Sequence, residues 1–204
     1  MRLQFQARRY RWVRALLVGF LVGVWLLPST TNASDLKGFD ATGPNKDYPD
    51  KMMLYGRLVG DWRVEYTAYS ADEKKQPTIT GEWHFGWALE GRAVADVWIM
   101  PGRLERQKPG APKGEWGTTI RYYDPKIDAG TSFLSGRHTT TSMYSWLASK
   151  AMEGKDADGK PSRWIFSDIT PDSFRWRAVS SDDNGTTWKL REEMLAHRIS
   201  SGSK

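Results

Sequence analysis

The 204-residue chain reads as an all-β protein, a single antiparallel up-and-down β-barrel of about eight strands with a short N-terminal helix. Three observations predict this. Beyond residue 60 the pattern alternates with period two in eight segments, at 61–69, 79–88, 92–100, 116–123, 131–139, 163–169, 173–180 and 187–197. Each is rich in Trp, Tyr, Phe, Val, Ile or Thr, the residues that suit a pleated surface. Most of the connections between them are hairpin-sized, which points to an antiparallel meander, closed as a barrel or folded as a sandwich.

The element that carries most information is the hairpin from Gly81 to Met100, GEWHFGWALEGRAVADVWIM. A two-residue turn at Glu90-Gly91 pairs Leu89 with Arg92, and this sets Trp87 opposite Val94, Phe85 opposite Asp96 and Trp83 opposite Trp98. Directly opposed residues share a face of an antiparallel pair. One face is therefore expected to carry Trp83, Phe85, Trp87 and Trp98 with Arg92 and Asp96 among them. A three-residue loop would reverse the parity and turn Asp96 outward.

Ahead of the strands, Arg8, Arg9, Arg11 and Arg14 form a basic segment, Ala15 to Leu27 an apolar run, and Thr31 and Ala33 a small-residue cleavage pattern. This is the anatomy of a signal peptide over 1–33, with cleavage near Ala33. Thirteen apolar residues rise only about 20 Å as a helix, short of the roughly 30 Å hydrocarbon core. The expectation is a periplasmic or secreted protein without stable membrane insertion once the leader is removed. The segment holds five of the 30 Lys and Arg and none of the 24 Asp and Glu, so the remainder carries a net charge near +1. The basic pI then belongs to the leader, and nucleic acid is not an expected partner. The absence of cysteine excludes disulfides, cysteine lipidation and thiolate metal sites.

Residues 34–48 are polar with Gly38, Gly43 and Pro44 and read as a flexible arm ahead of the domain at 49–204. Pro49 suits the first turn of a helix, with Met52, Met53, Leu58 and Val59 apolar and Gly60 ending it. Two insertions interrupt the strands. The stretch 101–115 is Pro/Gly-rich and basic, either a lid or disordered. Ser142 to Lys155 places Met143, Trp146, Leu147, Ala151 and Met152 at roughly helical spacing, which suggests an amphipathic turn and a half over a barrel end. In 115–124 both faces, Trp116/Thr118/Ile120/Tyr122 and Gly117/Thr119/Arg121/Tyr123, suit the interior.

Several motifs support a family resemblance. They are Gly60-Asp61-Trp62 at the first strand, E-W-x-x-x-W-x-L-x-G-R from Glu82 to Arg92, Tyr123-Asp124-Pro125, and T-W-x-x-x-E from Thr187 to Glu192. On these the chain resembles the lipocalin-like (calycin-type) bacterial β-barrels of the DUF1579-type family over about 54–198. The resemblance implies an interior cavity and a plugging role for the Gly-x-Trp indole, and it carries over no catalytic residue set. Ser181 to Trp188 also fits the Asp-box of sialidase-like propellers, but it occurs once and reads as a hairpin turn.

In the last strand Trp188, Leu190, Glu192 and Met194 are expected inward and Lys189, Arg191 and Glu193 outward. An inward carboxylate either pairs with an inward arginine or has a raised pKa and works as an acid or base. Arg92, Asp96 and Glu192 are thus either a register-fixing network or a ligand-orienting cluster, with Asp96 and Glu192 the catalytic candidates. Nine tryptophans follow the leader, which favours a wide aromatic lumen. The expected ligand-binding residues are Trp83, Trp87, Arg92, Asp96, Trp98, Trp176 and Glu192. His84 is expected to face solvent. His138 and His197 lack metal-ligand spacing, so neither a metal nor a cofactor is expected, although either histidine could serve as axial ligand in a haem-binding version of the fold. Asp156-Ala157-Asp158-Gly159 lacks the closing acid of a calcium loop and reads as a turn. The expected function is binding of a small hydrophobic or aromatic molecule in the lumen. The alternatives are acid/base chemistry there (isomerase, cyclase or lyase) and a role as an envelope accessory.

Overall fold

The computed structural model describes Phe39 and residues 41–136, 139–146, 151–156 and 158–199. The expected leader and His138 lie outside the described residues. Among the described residues one α-helix, α1 (Pro49–Gly56), precedes ten strands: β1 (Gly60–Ala68), β2 (Ile79–Ala88), β3 (Ala93–Met100), β4 (Glu115–Asp124), β5 (Ala129–Gly136), β6 (Thr139–Trp146), β7 (Ala151–Lys155), β8 (Pro161–Ser167), β9 (Ser173–Ser180) and β10 (Lys189–Arg198). Every strand pairs antiparallel with the next, and β1 pairs with β10, so the meander closes on itself as an all-β barrel. Closure removes the unpaired edge that an open sheet would present.

The strand number corrects the expectation of about eight. The two additional strands, β6 and β7, occupy the stretch read as an amphipathic turn. The helical spacing of Met143 and Trp146 with Ala151 and Met152 arises because the two apolar pairs belong to different strands. Trp146 stands opposite Met152 in the β6–β7 register.

The two barrel ends differ. At one end α1 begins with Pro49 in its first turn, buries Met52 and Tyr55, and packs against β3 and β4. Lys51 donates to Asp128 at 2.6 Å and so ties α1 to the β4–β5 turn. Gly60, at φ 134°, turns the chain into β1. Trp62 is fully buried beyond it and donates its indole N–H to the Leu58 carbonyl at 2.7 Å. Its ring meets Phe174 edge-on at 4.7 Å, and the Arg198 guanidinium lies 4.0 Å from the ring centroid. Arg198 also donates to the Val59 carbonyl at 2.9 Å, so the first and last strands are joined across the plug. This end is closed. In the stretch expected as a flexible arm, Ala41 bridges Trp87 and the Asn45 N–H bonds the Gly91 carbonyl at 2.9 Å.

The opposite end carries the β1–β2 connection, the 101–114 loop and the Ser181–Trp188 hairpin turn. In that turn the Asp183 carboxylate accepts the Thr187 N–H and hydroxyl at 2.7 and 2.6 Å and the Ser181 hydroxyl at 2.7 Å. These bonds hold its pKa down at about 2 and account for the Asp-box residues structurally. Asp156 accepts backbone N–H groups from Asp158 and Lys160, as expected of a turn.

Trp62→Ala removes a fully buried indole together with its hydrogen bond and its contact with Arg198. Urea titration should show a loss of about 3–5 kcal/mol of stability, the range for large aromatic truncations.

Candidate functional site

The β2–β3 register matches the expected one: Trp83 faces Trp98, Phe85 faces Asp96 and Trp87 faces Val94. The connection is different. The last pair is Ala88 with Ala93, and Leu89 to Arg92 form a four-residue loop in which Leu89, Glu90 and Gly91 all have positive φ. Two-residue and four-residue loops centred on the same bond give identical pairing, so the parity survives while Arg92 leaves the strand. It is exposed, 3.0 Å from Glu90 and 3.7 Å from Asp47. The expectation that Arg92 faces the lumen is therefore corrected.

Trp87 points inward, as its parity requires, but lies at the closed end. A β-carbon on Gly56 of α1 would stand 2.5 Å from its ring, so the helix fills the space beneath this indole. It forms part of the floor and not of the cavity wall.

Asp96 is buried at mid-barrel. Its carboxylate pairs with Arg121, which is equally buried, and accepts the Trp83 indole N–H at 2.8 Å. Arg121 stands two residues along β4 from Thr119, the residue opposite Asp96, so the pair is a diagonal cross-strand contact. Its guanidinium lies 5.6 and 5.7 Å from the Phe85 and Phe166 ring centroids. Burial pushes its pKa down to about 10, which leaves it charged at neutral pH. The interior face of β4 is accordingly Gly117/Thr119/Arg121/Tyr123. Arg121 is the site residue that sequence reasoning did not select. The available signal was that an inward Asp96 needs a cation and one β4 face offers an arginine on the adjoining diagonal.

Between this pair and the open end lies a cavity of about 340 Å³. Trp83, Trp98, Trp164 and Trp176 supply its aromatic wall, and Met100, Leu134 and Met194 its aliphatic part. The tryptophans pack edge-on, with Trp176 6.0 Å from Trp83 and 5.7 Å from Trp164. Gly117 makes room for Trp98, since a β-carbon there would lie 2.2 Å from the indole. Toward the opening the wall becomes polar, with Tyr66, Glu115, Ser162, Ser180, Arg191 and Glu192.

Glu192 reaches the cavity as expected, but its strand neighbours do not follow the simple alternation. A bulge between Leu190 and Glu192 inserts one residue, so that Leu190 pairs with Val179 and Glu192 with Ala178. The extra residue breaks the period-two count. Leu190, half-buried opposite Val179, and Trp188, in the turn before β10, do not line the cavity with Glu192 and Met194. Arg191, expected outside, lines the cavity mouth. It donates to the Ser180 hydroxyl at 2.7 Å and to the Ser70 and Ala71 carbonyls at 3.3 Å each. Burial, reinforced by the negative charge of Glu115, pushes the Glu192 pKa up to about 7.

A second hollow of about 300 Å³ adjoins the first and shares Tyr66, Met100 and Glu115 with it. Pro101, Pro112, Lys113 and Gly114 of the 101–114 loop form its other side. Several contacts anchor this loop, among them the Gly102 N–H to the Thr80 carbonyl at 2.9 Å. Arg103 donates to Glu82 at 2.8 Å, and the Arg106 guanidinium lies 4.1 Å from the Trp116 ring centroid. His84 lies on the outer surface between Asp61 and Glu82, and His197 is exposed on β10, so neither faces the cavity. Among the described residues no group of His, Asp and Glu is arranged to hold a metal ion.

No family model matches the chain, and no curated protein matches it in sequence. Among solved structures it is similar to the S-type phycobiliprotein lyase from Guillardia theta, with a TM-score of 0.50 over 73% of this chain and 92% of that one, at 9% identity. At that identity the likeness concerns the fold alone, a lipocalin-like barrel.

Two predictions follow from the polar groups. Asp96→Ala strands a buried guanidinium and should cost about 3–5 kcal/mol in denaturant unfolding, whereas Asp96→Leu with Arg121→Met should recover most of that loss. Glu192 ionises at its ordinary value of 4.5 when unfolded and near 7 when folded, so the folded state retains a proton that the unfolded state has released. Stability should therefore fall as pH rises through that window, by up to about 3 kcal/mol, and Glu192→Gln should flatten the profile.

Proposed function

We propose that this chain is an exported lipocalin-like barrel that binds a small hydrophobic or aromatic molecule in its lumen. The observation that carries the reading is the 340 Å³ cavity, walled by Trp83, Trp98, Trp164 and Trp176 and fitted with a few polar groups at its mouth. Its size and its mixture of apolar wall and sparse polar groups are those of small-molecule sites. Trp83 is held by Asp96, so part of the aromatic wall is fixed before a ligand arrives. Trp98, Trp176 and Glu192 remain in the proposed binding set, and Tyr66, Glu115, Trp164 and Arg191 join it. Trp87 and Arg92 leave it. Export rests on the leader-like segment at 1–33, and membership of the DUF1579-type family on the motifs quoted above.

One observation favours a second reading in the same cavity, acid/base chemistry on a hydrophobic substrate. Glu192, with a pKa near 7, can exchange a proton at neutral pH, as a general acid or base must. The phycobiliprotein lyase shares only the fold, and the fold admits both readings.

Native mass spectrometry of the protein purified under non-denaturing conditions should reveal a bound small molecule. Titration with apolar aromatic compounds should quench its tryptophan fluorescence, and Trp176→Ala should weaken that response. A folded protein that neither retains nor accepts any such compound would exclude the lumen as a binding site. Once a substrate is known, Glu192→Gln separates the two readings: turnover is lost with binding retained if Glu192 transfers protons.

A further inference from the structure

The charges around the cavity do not balance, and the imbalance indicates what the lumen accepts. Arg121 is neutralised by Asp96. Arg191 is held by Ser180 and two backbone carbonyls, with Asp182 at 3.6 Å. Asp156 is occupied by the Asp158 and Lys160 amides. Lys113 borders the adjoining hollow without an ion pair to a described residue, and Glu115 and Glu192 remain. Both line the cavity, and neither makes a hydrogen bond or ion pair with a described residue. The Trp176 indole N–H and the Tyr66 hydroxyl in the same wall also lack partners among the described residues. Carboxylates set without cations in an apolar surround destabilise the empty protein unless a ligand brings the missing charge.

We propose that the lumen selects an organic cation, an amine or quaternary ammonium with apolar or aromatic substituents, which the tryptophans enclose and Glu115 and Glu192 neutralise. This rests on the lumen-binding reading above and names the class of ligand. A cation over the faces of tryptophan gains electrostatic attraction that a neutral isostere lacks, and desolvation strengthens it. The two carboxyls add Coulomb attraction in a site of low dielectric. The arrangement disfavours an anion, because Arg121 already has its counter-charge and Arg191 is engaged at the rim.

The inference also predicts a pH response. The charged and titratable groups that share the cavity with Glu192 are Tyr66 on β1, Glu115 and the paired Arg121 on β4, Arg191 on β10 and Asp156 beyond β7, with Lys113 in the adjoining hollow. The facing β9 residues Ala178 and Ser180 carry no charge. Burial and these carboxylates raise Tyr66 as well, so it stays a neutral donor. Glu192 is then the group that changes charge near neutrality, and its ionisation should tighten binding of a permanent cation.

The test uses the whole protein and three probes followed by tryptophan fluorescence and calorimetry: benzyltrimethylammonium, its neutral isostere neopentylbenzene, and the anion 3-phenylpropanoate. At about pH 8 the cation should bind at least ten-fold more tightly than the neutral isostere and the anion most weakly. That preference should shrink several-fold on lowering the pH to about 5.5. Glu115→Gln with Glu192→Gln should cut the cation's advantage over the neutral isostere several-fold and remove its pH dependence, leaving only the part the tryptophans supply. Should that variant fail to fold, the wild-type pH series decides the matter alone. Equal binding of cation and isostere, or preference for the anion, overturns the inference and leaves the lumen-binding reading intact. Failure of all three probes to bind the folded protein overturns both.

Discussion

The buried pair of Asp96 and Arg121 is the constraint around which this barrel is arranged. Neither charge is tenable alone in an aromatic interior, and together they still require every remaining contact the neighbourhood can give. Trp83 supplies one, donating its indole N–H to the carboxylate, and Phe85 and Phe166 flank the guanidinium. The pair therefore fixes β3 against β4 and orients the central tryptophan. It also divides the interior. Below it the aromatic floor of Trp62, Phe174 and Trp87 meets α1, and above it side chains fill the space incompletely and the cavity opens.

Much of this was legible in the residues. The hairpin register followed from the aromatic alternation and the symmetry of its loop, and Trp83, Asp96 and Trp98 were placed on the correct face. The same reasoning misplaced Arg92, because two-residue and four-residue loops leave identical pairing behind them and differ only in whether residue 92 belongs to the strand. Arg121 was ambiguous for a different reason. Both faces of β4 combine apolar and polar residues, so periodicity alone cannot choose between them, and only the partner demanded by Asp96 can. The β6–β7 pair was hidden by a chance agreement between helical spacing and two short strands. The bulge at Arg191 has no local signature in composition, so the inward position of Glu192 was anticipated and that of Arg191 was not.

The two ends of the barrel divide the physical work. At the closed end the polar groups on Trp62 and Arg198 are satisfied by backbone carbonyls, and aromatic rings meet at edge-on distances. At the open end carboxyls, a phenol and an indole N–H face a hollow without partners among the described residues. A protein optimised for stability alone would pair or remove such groups, and active or binding sites are where this rule is commonly broken.

The bulge in β10 has a consequence for what that strand can present to the lumen. Along an uninterrupted strand, a one-residue change in the turn would shift the phase of everything downstream and exchange the lumen row for the outer row. The extra residue at Arg191 adds one such step inside the strand, so that Leu190 pairs with Val179 and Glu192 with Ala178. Glu192, Met194 and Ala196 thus hold the inward row, while Arg191, the extra residue, also reaches the mouth. The bulge thereby sets two consecutive residues at one cavity, a cation at the rim and a carboxyl beneath it, which strict alternation would send to opposite faces of the sheet.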